Sequence, residues 1–201
     1  MIKLLNDIYT WSVYSEEKNL NFNGWFIHNN VNSEGNVLID PPEPSNKDLE
    51  KIEEMGGVQH ILITNQHHIR KTSIFQEKFN SKLYINQLDA SKIELPIHSE
   101  FNDGDLLAEF LKAVHVPHQK TPGETALYWE DRRILFVGDA IIGDPAGRLR
   151  LLPKTMYADF PSAKEGLKVL LDFDFSALLL GDGDSIISGG KTALTEYLNK
   201  K

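Results

Sequence analysis

The chain has 201 residues, of which 41% are hydrophobic and 25% are charged, as is ordinary for a soluble globular protein. Its formal net charge of −8 disfavours nucleic acid and anionic membrane surfaces as main partners. The absence of cysteine excludes disulfides, thiolate-bound metals and a cysteine nucleophile, so any metal would need His, Asp or Glu ligands.

The organisation of the chain is simple. No basic and apolar leader opens it, and no apolar run approaches the ~18 residues that a membrane-spanning helix needs. We find no linker, repeat or low-complexity segment. We therefore expect one domain over residues 1–201, located in the cytoplasm, with no nucleic acid or membrane partner and with a homodimer left open.

The first half of the chain predicts strands followed by alternating helices and strands. Aromatic and β-branched residues at 8–14, around 23–27 and at 37–39 are typical of strands. Ser45 is the expected N-cap of a helix that ends near Gly56-Gly57. A strand at 61–63, a helix at 72–79, a strand at 82–85 and a helix at 87–93 are expected next.

The second half predicts further strands and two helices. The apolar residues at 106–116 have a mixed spacing that does not decide between a helix and a strand. The stretches 125–129 and 133–137 predict the two strands of a hairpin. Ser162 and Glu165 form an expected capping box that starts a helix at Ser162. A strand at 177–180 and a terminal helix at 191–198 complete the chain.

Acidic and basic residues follow four apolar runs. Asp40 ends the run at 37–39, a polar cluster from Thr64 to Arg70 follows 61–63, Asp139 follows 134–137, and Asp182 follows 177–180. Ligand sites of open α/β sheets lie beyond such strand ends. Aligned strand ends would therefore gather these side chains in one crevice.

The segment Thr64-Asn65-Gln66-His67-His68-Ile69-Arg70 resembles the T-H-x-H-x-D-H signature of the metallo-β-lactamase superfamily. This resemblance implies an α+β fold, a four-layer αββα sandwich, and in the family a pair of zinc ions bound by the motif. The ligand positions fall on Asn65, His67, Ile69 and Arg70. Only His67 keeps a ligand type, since Ile69 has no donor atom and Arg70 is permanently cationic.

Three later stretches extend the resemblance. Residues 116–124 resemble the family's "PGHTPG" stretch, with Lys120 at the histidine position and His118 two residues before it. Gly138-Asp139 matches "GD", so Asp139 keeps its type. Gly181-Asp182-Gly183 matches "GHG" with Asp182 in place of histidine. The resemblance therefore implies the fold together with a degenerate dinuclear zinc site.

Our main hypothesis follows from the replacements. Arg70 and Lys120 stand where metal ligands would be and could neutralise Asp139 and Asp182, because buried like charges are costly when unpaired. A metal-free crevice of this kind would bind a small molecule or a partner. Asn65, His68, His118 and Asp40 are expected to line or border the crevice, and His68 could equally cap the following helix.

Two alternatives keep an enzymatic role. In the first, one zinc or other divalent ion is held by ligands drawn from His67, His68, Asp139 and Asp182 and activates water for hydrolysis of an ester, thioester or related bond. Adjacent residues such as His67 and His68 point in different directions and seldom share a metal, so His67, Asp139 and Asp182 are the expected set. In the second, the acid–base site is rebuilt, with Asp139 or Asp182 as base and Lys120 or Arg70 stabilising an oxyanion.

Overall fold

The computed structural model describes residues 1–29 and 34–200. Two β-sheets pack face to face, and helices cover their outer faces. The strands are β1 (Ile2–Leu5), β2 (Ile8–Ser15), β3 (Leu20–Ile27), β4 (Val37–Ile39), β5 (His60–Ile63), β6 (Lys82–Asn86), β7 (Ser99–Phe101), β8 (Leu106–Leu107), β9 (Leu111–His115), β10 (Thr125–Trp129), β11 (Ile134–Val137), β12 (Ile142–Gly143), β13 (Leu149–Arg150) and β14 (Ala177–Leu180).

The helices lie between these strands. They are α1 (Asn46–Glu54), α2 (Thr72–Phe79), α3 (Gln87–Ala90), α4 (Phe160–Gly166) and α5 (Gly190–Asn199). Three further segments, Gln66–Ile69, Lys154–Met156 and Leu167–Asp172, form 3₁₀ turns. None of the helices in the described ranges is both long and apolar enough to cross a membrane.

The sheet topology brings parallel strand ends together. The first sheet has β1 to β7 in sequence order, with β4 to β7 parallel. The second has the order β14-β11-β10-β9-β8, and β11 is parallel to β14. The backbone N–H of Asn23 donates to the carbonyl of Gly181 at 2.8 Å and connects the two sheets. The carboxyl ends of β4, β5, β11 and β14 therefore point to one edge of the sandwich.

The apolar core forms three layers. Trp25 and Phe136, whose rings are 6.1 Å apart, pack between the two sheets. Ile52 of α1 and Phe75 of α2 cover the outer face of the first sheet. Leu167 and Leu194 cover the outer face of the second. The predicted αββα sandwich is confirmed.

One helix start differs from the prediction. Asp159, not Ser162, is the N-cap of α4, and its side chain accepts from the Ser162 N–H at 3.1 Å. The helix begins at Phe160 because Pro161 lacks an N–H and fits the first turn. The predicted helix at 87–93 is shorter, ending at Ala90, and the ambiguous stretch at 106–116 contains β8 and β9.

The core predicts a large stability effect at the sheet interface. Phe136 is fully buried, so Phe136→Ala should lower the free energy of unfolding by about 3–5 kcal/mol. Ile187→Ala is the matched control, since this side chain is 47% exposed and its loss should cost about 0.5 kcal/mol or less. Urea titrations followed by circular dichroism measure both. Equal effects of the two substitutions would contradict the assigned core.

Candidate functional site

Four strand ends meet beneath the floor of a crevice. Asp40 follows β4, Asn65 lies just after β5, Asp139 follows β11 and Asp182 follows β14. Asp40, Asp139 and Asp182 are each at most 5% exposed. Three carboxylates thus lie in a region of low dielectric, where each needs a cation or several N–H donors.

His68 lies at the centre of this floor. Asn65 caps the 3₁₀ turn Gln66–Ile69 by accepting from the His67 N–H, and the turn directs His68 inward. His68 Nδ1 is 2.7 Å from Asp40 Oδ2, and its Nε2 is 3.4 Å from Asp139 Oδ1. Asp40 is itself fixed by the N–H and hydroxyl of Thr64, at 2.9 and 2.6 Å.

The imidazole of His68 is held in its protonated form. Burial and the nearby Arg70 guanidinium act to lower its pKa, but the Asp40 and Asp139 carboxylates outweigh them and raise the pKa to about 10. Nδ1 therefore donates to the Asp40 carboxylate, whereas Nε2 faces Asp139 Oδ1 at 3.4 Å in an ion-pair contact.

Arg70 closes the floor on the side of Asp182. Its Nη2 donates to Asp182 Oδ1 at 2.6 Å, and its Nη1 donates to the carbonyl of Asn23 at 2.9 Å. The ring of Phe22 lies over the guanidinium at 4.8 Å. Arg70 has a positive φ of 37°, an uncommon conformation for a residue with a Cβ, which this set of contacts holds in place.

Arg70 also closely approaches His68. Its Nη2 lies 3.2 Å from His68 Nε2, and a protonated ring nitrogen has no lone pair with which to accept a hydrogen bond. The contact is therefore an approach of two cations, which the carboxylates of Asp139 and Asp182 offset.

Lys120 completes the set of cations. Its ammonium donates to Asp139 Oδ2 at 2.8 Å. Burial acts to raise the pKa of Asp139, but His68 and Lys120 together hold it below its usual value, so this carboxylate stays charged. Burial and the charge of Asp139 raise the pKa of Asp182, although His68 and Arg70 act in the opposite direction.

The group that could hold a metal ion contains His68 instead of His67. Within the described residues, His68, Asp139 and Asp182 offer donor atoms that lie within 4.8 Å of one another. A metal does not fit the arrangement as it stands. His68 is protonated, Arg70 Nη2 bonds to Asp182, and Lys120 bonds to Asp139, so a cation or a proton already occupies each donor.

The other predicted residues take different places. His67 lines the crevice with an exposed side chain, and Asp40 lies behind His68. Asn65 is fully buried and caps the 3₁₀ turn without lining the crevice. His118 is exposed outside the crevice, near Asp159.

Glu124 is a buried group that the sequence reasoning missed. It is fully buried, and its Oε1 accepts from the Ala140 N–H at 3.0 Å. Burial and the charge of Asp139 raise the pKa of Glu124 well above its ordinary value. Its place in a Pro-Gly-Glu turn carries no signal of burial, because glutamates in turns are ordinarily solvated.

The crevice above these side chains has a volume of about 480 Å³. Its walls are largely apolar, with the side chains of Leu20, Phe22, Ile142, Leu152, Pro153 and Met156. A groove of about 670 Å³ beside α2 is larger, but it is remote from the charged network. Because ligand sites combine apolar walls with a few convergent polar groups, the smaller crevice is the candidate site.

The protonated state of His68 predicts a pH dependence. Folding raises the pKa of the His68 imidazole, so proton binding to this ring stabilises the folded state. This stabilisation is fully present below pH ~6.5 and is lost as the pH rises through about 10. NMR titration of the imidazole should show both nitrogens protonated at pH 8. His67 is the internal control, because burial and Lys120 lower its pKa. A neutral His68 ring at pH 8 would contradict the assigned network.

Solved structures share this fold. The chain aligns with the metallo-beta-lactamase from Pontibacter korlensis at a TM-score of 0.75 and 15% identity, over 100% of this chain and 98% of that one. It aligns with TTHA1623, described in a di-iron-bound form, at a TM-score of 0.68 and 24% identity, over 90% and 96% of the two chains. These similarities, at under 25% identity, establish the fold alone.

Sequence comparisons identify the family. An uncharacterized protein of Aquifex aeolicus (strain VF5) is 31% identical over 134 residues, which cover 56% of this chain. The match spans 62% of that relative, less than two thirds of its length. A family model described as the metallo-beta-lactamase superfamily matches residues 2–200. The chain therefore belongs to the metallo-beta-lactamase superfamily.

Proposed function

We propose that this superfamily member works without a metal ion and that its crevice binds a small molecule. One observation carries the proposal: Arg70 Nη2 lies 2.6 Å from Asp182 Oδ1 and 3.2 Å from His68 Nε2. A metal shared by these two donors would need the guanidinium to leave and His68 to lose its proton. The first change would leave the Arg70 guanidinium, whose side chain is 11% exposed, without its carboxylate partner.

The charge balance supports the same proposal. Arg70, Lys120 and protonated His68 face Asp40, Asp139 and Asp182, so three cations match three carboxylates. The cations neutralise the carboxylates, but a guanidinium or an ammonium does not convert water to hydroxide at neutral pH as a bound metal does. Hydrolysis through a metal-bound nucleophile is therefore not the activity that we propose.

The rebuilt acid–base alternative is less favoured. A general base works best when its pKa lies near the operating pH. The pKa of Asp139 is instead lowered by His68 and Lys120 despite its burial, which makes this carboxylate a weak base. Burial raises the pKa of Asp182, but its Oδ1 accepts a charged hydrogen bond from Arg70, which leaves only Oδ2 to take a proton from water. Binding is the function that the geometry supports best.

The proposal predicts the metal content. Protein purified without chelator or His tag and dialysed against zinc or ferrous iron should hold near-zero metal per chain by elemental mass spectrometry. Lys120→His should also stay near zero, because Arg70 still bonds to Asp182 and lies against His68. About one tightly held metal per chain in the unsubstituted protein would overturn the metal-free proposal and favour the hydrolase.

The proposal also predicts where small molecules bind. In a fragment screen by two-dimensional NMR, bound fragments should shift the amides of Phe22, Lys120 and Leu152 around the crevice. Amides of Ser73 and Ile97, at the larger groove beside α2, serve as the control and should not move. Shifts confined to that groove would contradict a binding role for the crevice.

A further inference from the structure

The two buried cations differ in their availability to a ligand. Arg70 donates to the backbone carbonyls of Asn23 and Asp40 and to the carboxylate of Asp182, and the Phe22 ring lies over its guanidinium. Lys120 has one hydrogen-bond acceptor among the described residues, Asp139, although its ammonium carries three protons. Its side chain is 18% exposed and lines the crevice. Lys120 can therefore donate to a ligand while it keeps its contact with Asp139.

A second cation lies at the crevice without a matching carboxylate in the lining. Each lining carboxylate has its own cation: Glu17 pairs with Lys18, Asp139 with Lys120 and Asp182 with Arg70. Arg150 also lines the crevice, but its carboxylate partner, Asp144, does not.

The guanidinium of Arg150 keeps donor capacity. Its Nε donates to Asp144 at 2.8 Å and its Nη1 to the carbonyl of Leu151 at 3.3 Å, whereas its Nη2 has no hydrogen-bond acceptor in the described part of the chain. Lys120 and Arg150 thus keep N–H donors that no acceptor in the described part of the chain uses, and both line the same crevice. Cationic donors of this kind suit a charged acceptor such as a carboxylate or a phosphate.

The rest of the crevice limits what can carry the anionic group. Leu20, Phe22, Ile142, Leu152 and Pro153 supply apolar wall, and the 42% exposed Met156 lies at the opening. A volume of about 480 Å³ is that of a small-molecule site. An ion without an apolar body would leave these walls in contact with water.

We infer that the crevice takes a small amphipathic molecule whose single anionic group, a carboxylate or a phosphate, is bound by Lys120 and Arg150 while its apolar body packs on the walls. This inference rests on the proposed function and names the ligand class of the same site. The anion is accepted by spare N–H donors, so neither buried ion pair has to break.

Four probes with the same eight-carbon chain test the ligand class. Octanoate, octyl phosphate, octanol and octylammonium are titrated below their micelle concentrations, by calorimetry and by NMR of the crevice amides. Octanoate or octyl phosphate should bind at least tenfold more tightly than octanol, and octylammonium should bind most weakly. The ratio between the two anions shows which anionic group the site prefers.

Two substitutions test the two anchors. Lys120→Met and Arg150→Met should each weaken binding of the preferred anion at least fivefold and leave octanol affinity unchanged. Lys168→Met is the matched control, because this exposed residue pairs with Glu165 away from the crevice, and it should change neither affinity. If Lys120→Met fails to fold because Asp139 loses its cation, Arg150→Met carries the test, since the Arg150 side chain is 37% exposed.

The outcomes separate this inference from the proposed function. Equal affinity for octanoate and octanol, with shifts at the crevice, would overturn the anionic ligand class and leave metal-free binding standing. If none of the four probes binds while unrelated fragments still bind in the crevice, the anionic ligand class is likewise overturned and metal-free binding still stands. Metal bound by the unsubstituted protein would overturn the proposed function, whatever the probes show.

Discussion

The structure of the site depends on the neutralisation of three carboxylates that the fold buries together. Asp40, Asp139 and Asp182 end strands of two different sheets, and each is at most 5% exposed. Uncompensated charges in such a place would cost several kcal/mol each. His68, Arg70 and Lys120 supply the compensating charge. The position of each cation is therefore a condition for packing the two sheets at this edge.

Two glycines make the close packing of this network feasible. A Cβ on Gly181 would lie 2.8 Å from Cε1 of His68, and a Cβ on Gly138 would lie 2.2 Å from the hydroxyl of Thr64. Both glycines directly precede a site carboxylate, Asp182 or Asp139. Only a residue without a side chain lets the ends of β11 and β14 approach the turn that carries His68.

A shared fold does not by itself determine what a site does. This chain shares its fold with its structural neighbours, and here the fold places strand ends around a crevice, but chemistry depends on the side chains that the crevice receives. Arg70 and Lys120 resemble metal ions in charge only. They neutralise carboxylates and donate hydrogen bonds, which suits recognition of an anion better than activation of water.

Local sequence patterns determined most of the fold and the identity of most charged groups at the site. Short apolar runs predicted β4, β5, β11 and β14, since a buried parallel strand needs apolar side chains on both faces. The residues after those runs predicted Asp40, Asp139 and Asp182 at one crevice. The α4 cap was misplaced because Asp159 and Ser162 are both good N-caps, and the choice depends on the path of the chain before the helix.

Only the tertiary structure decided which side chains meet. The motif pointed to His67, but the 3₁₀ turn after Asn65 directs His68 between Asp40 and Asp139 and leaves His67 exposed on the crevice wall. The raised pKa of Glu124 and the availability of Lys120 likewise follow from burial and from contacts between distant segments. A sequence determines which hydrogen bonds each residue can donate or accept. The direction in which each side chain points, and how far it is removed from water, are decided only when the two sheets pack together.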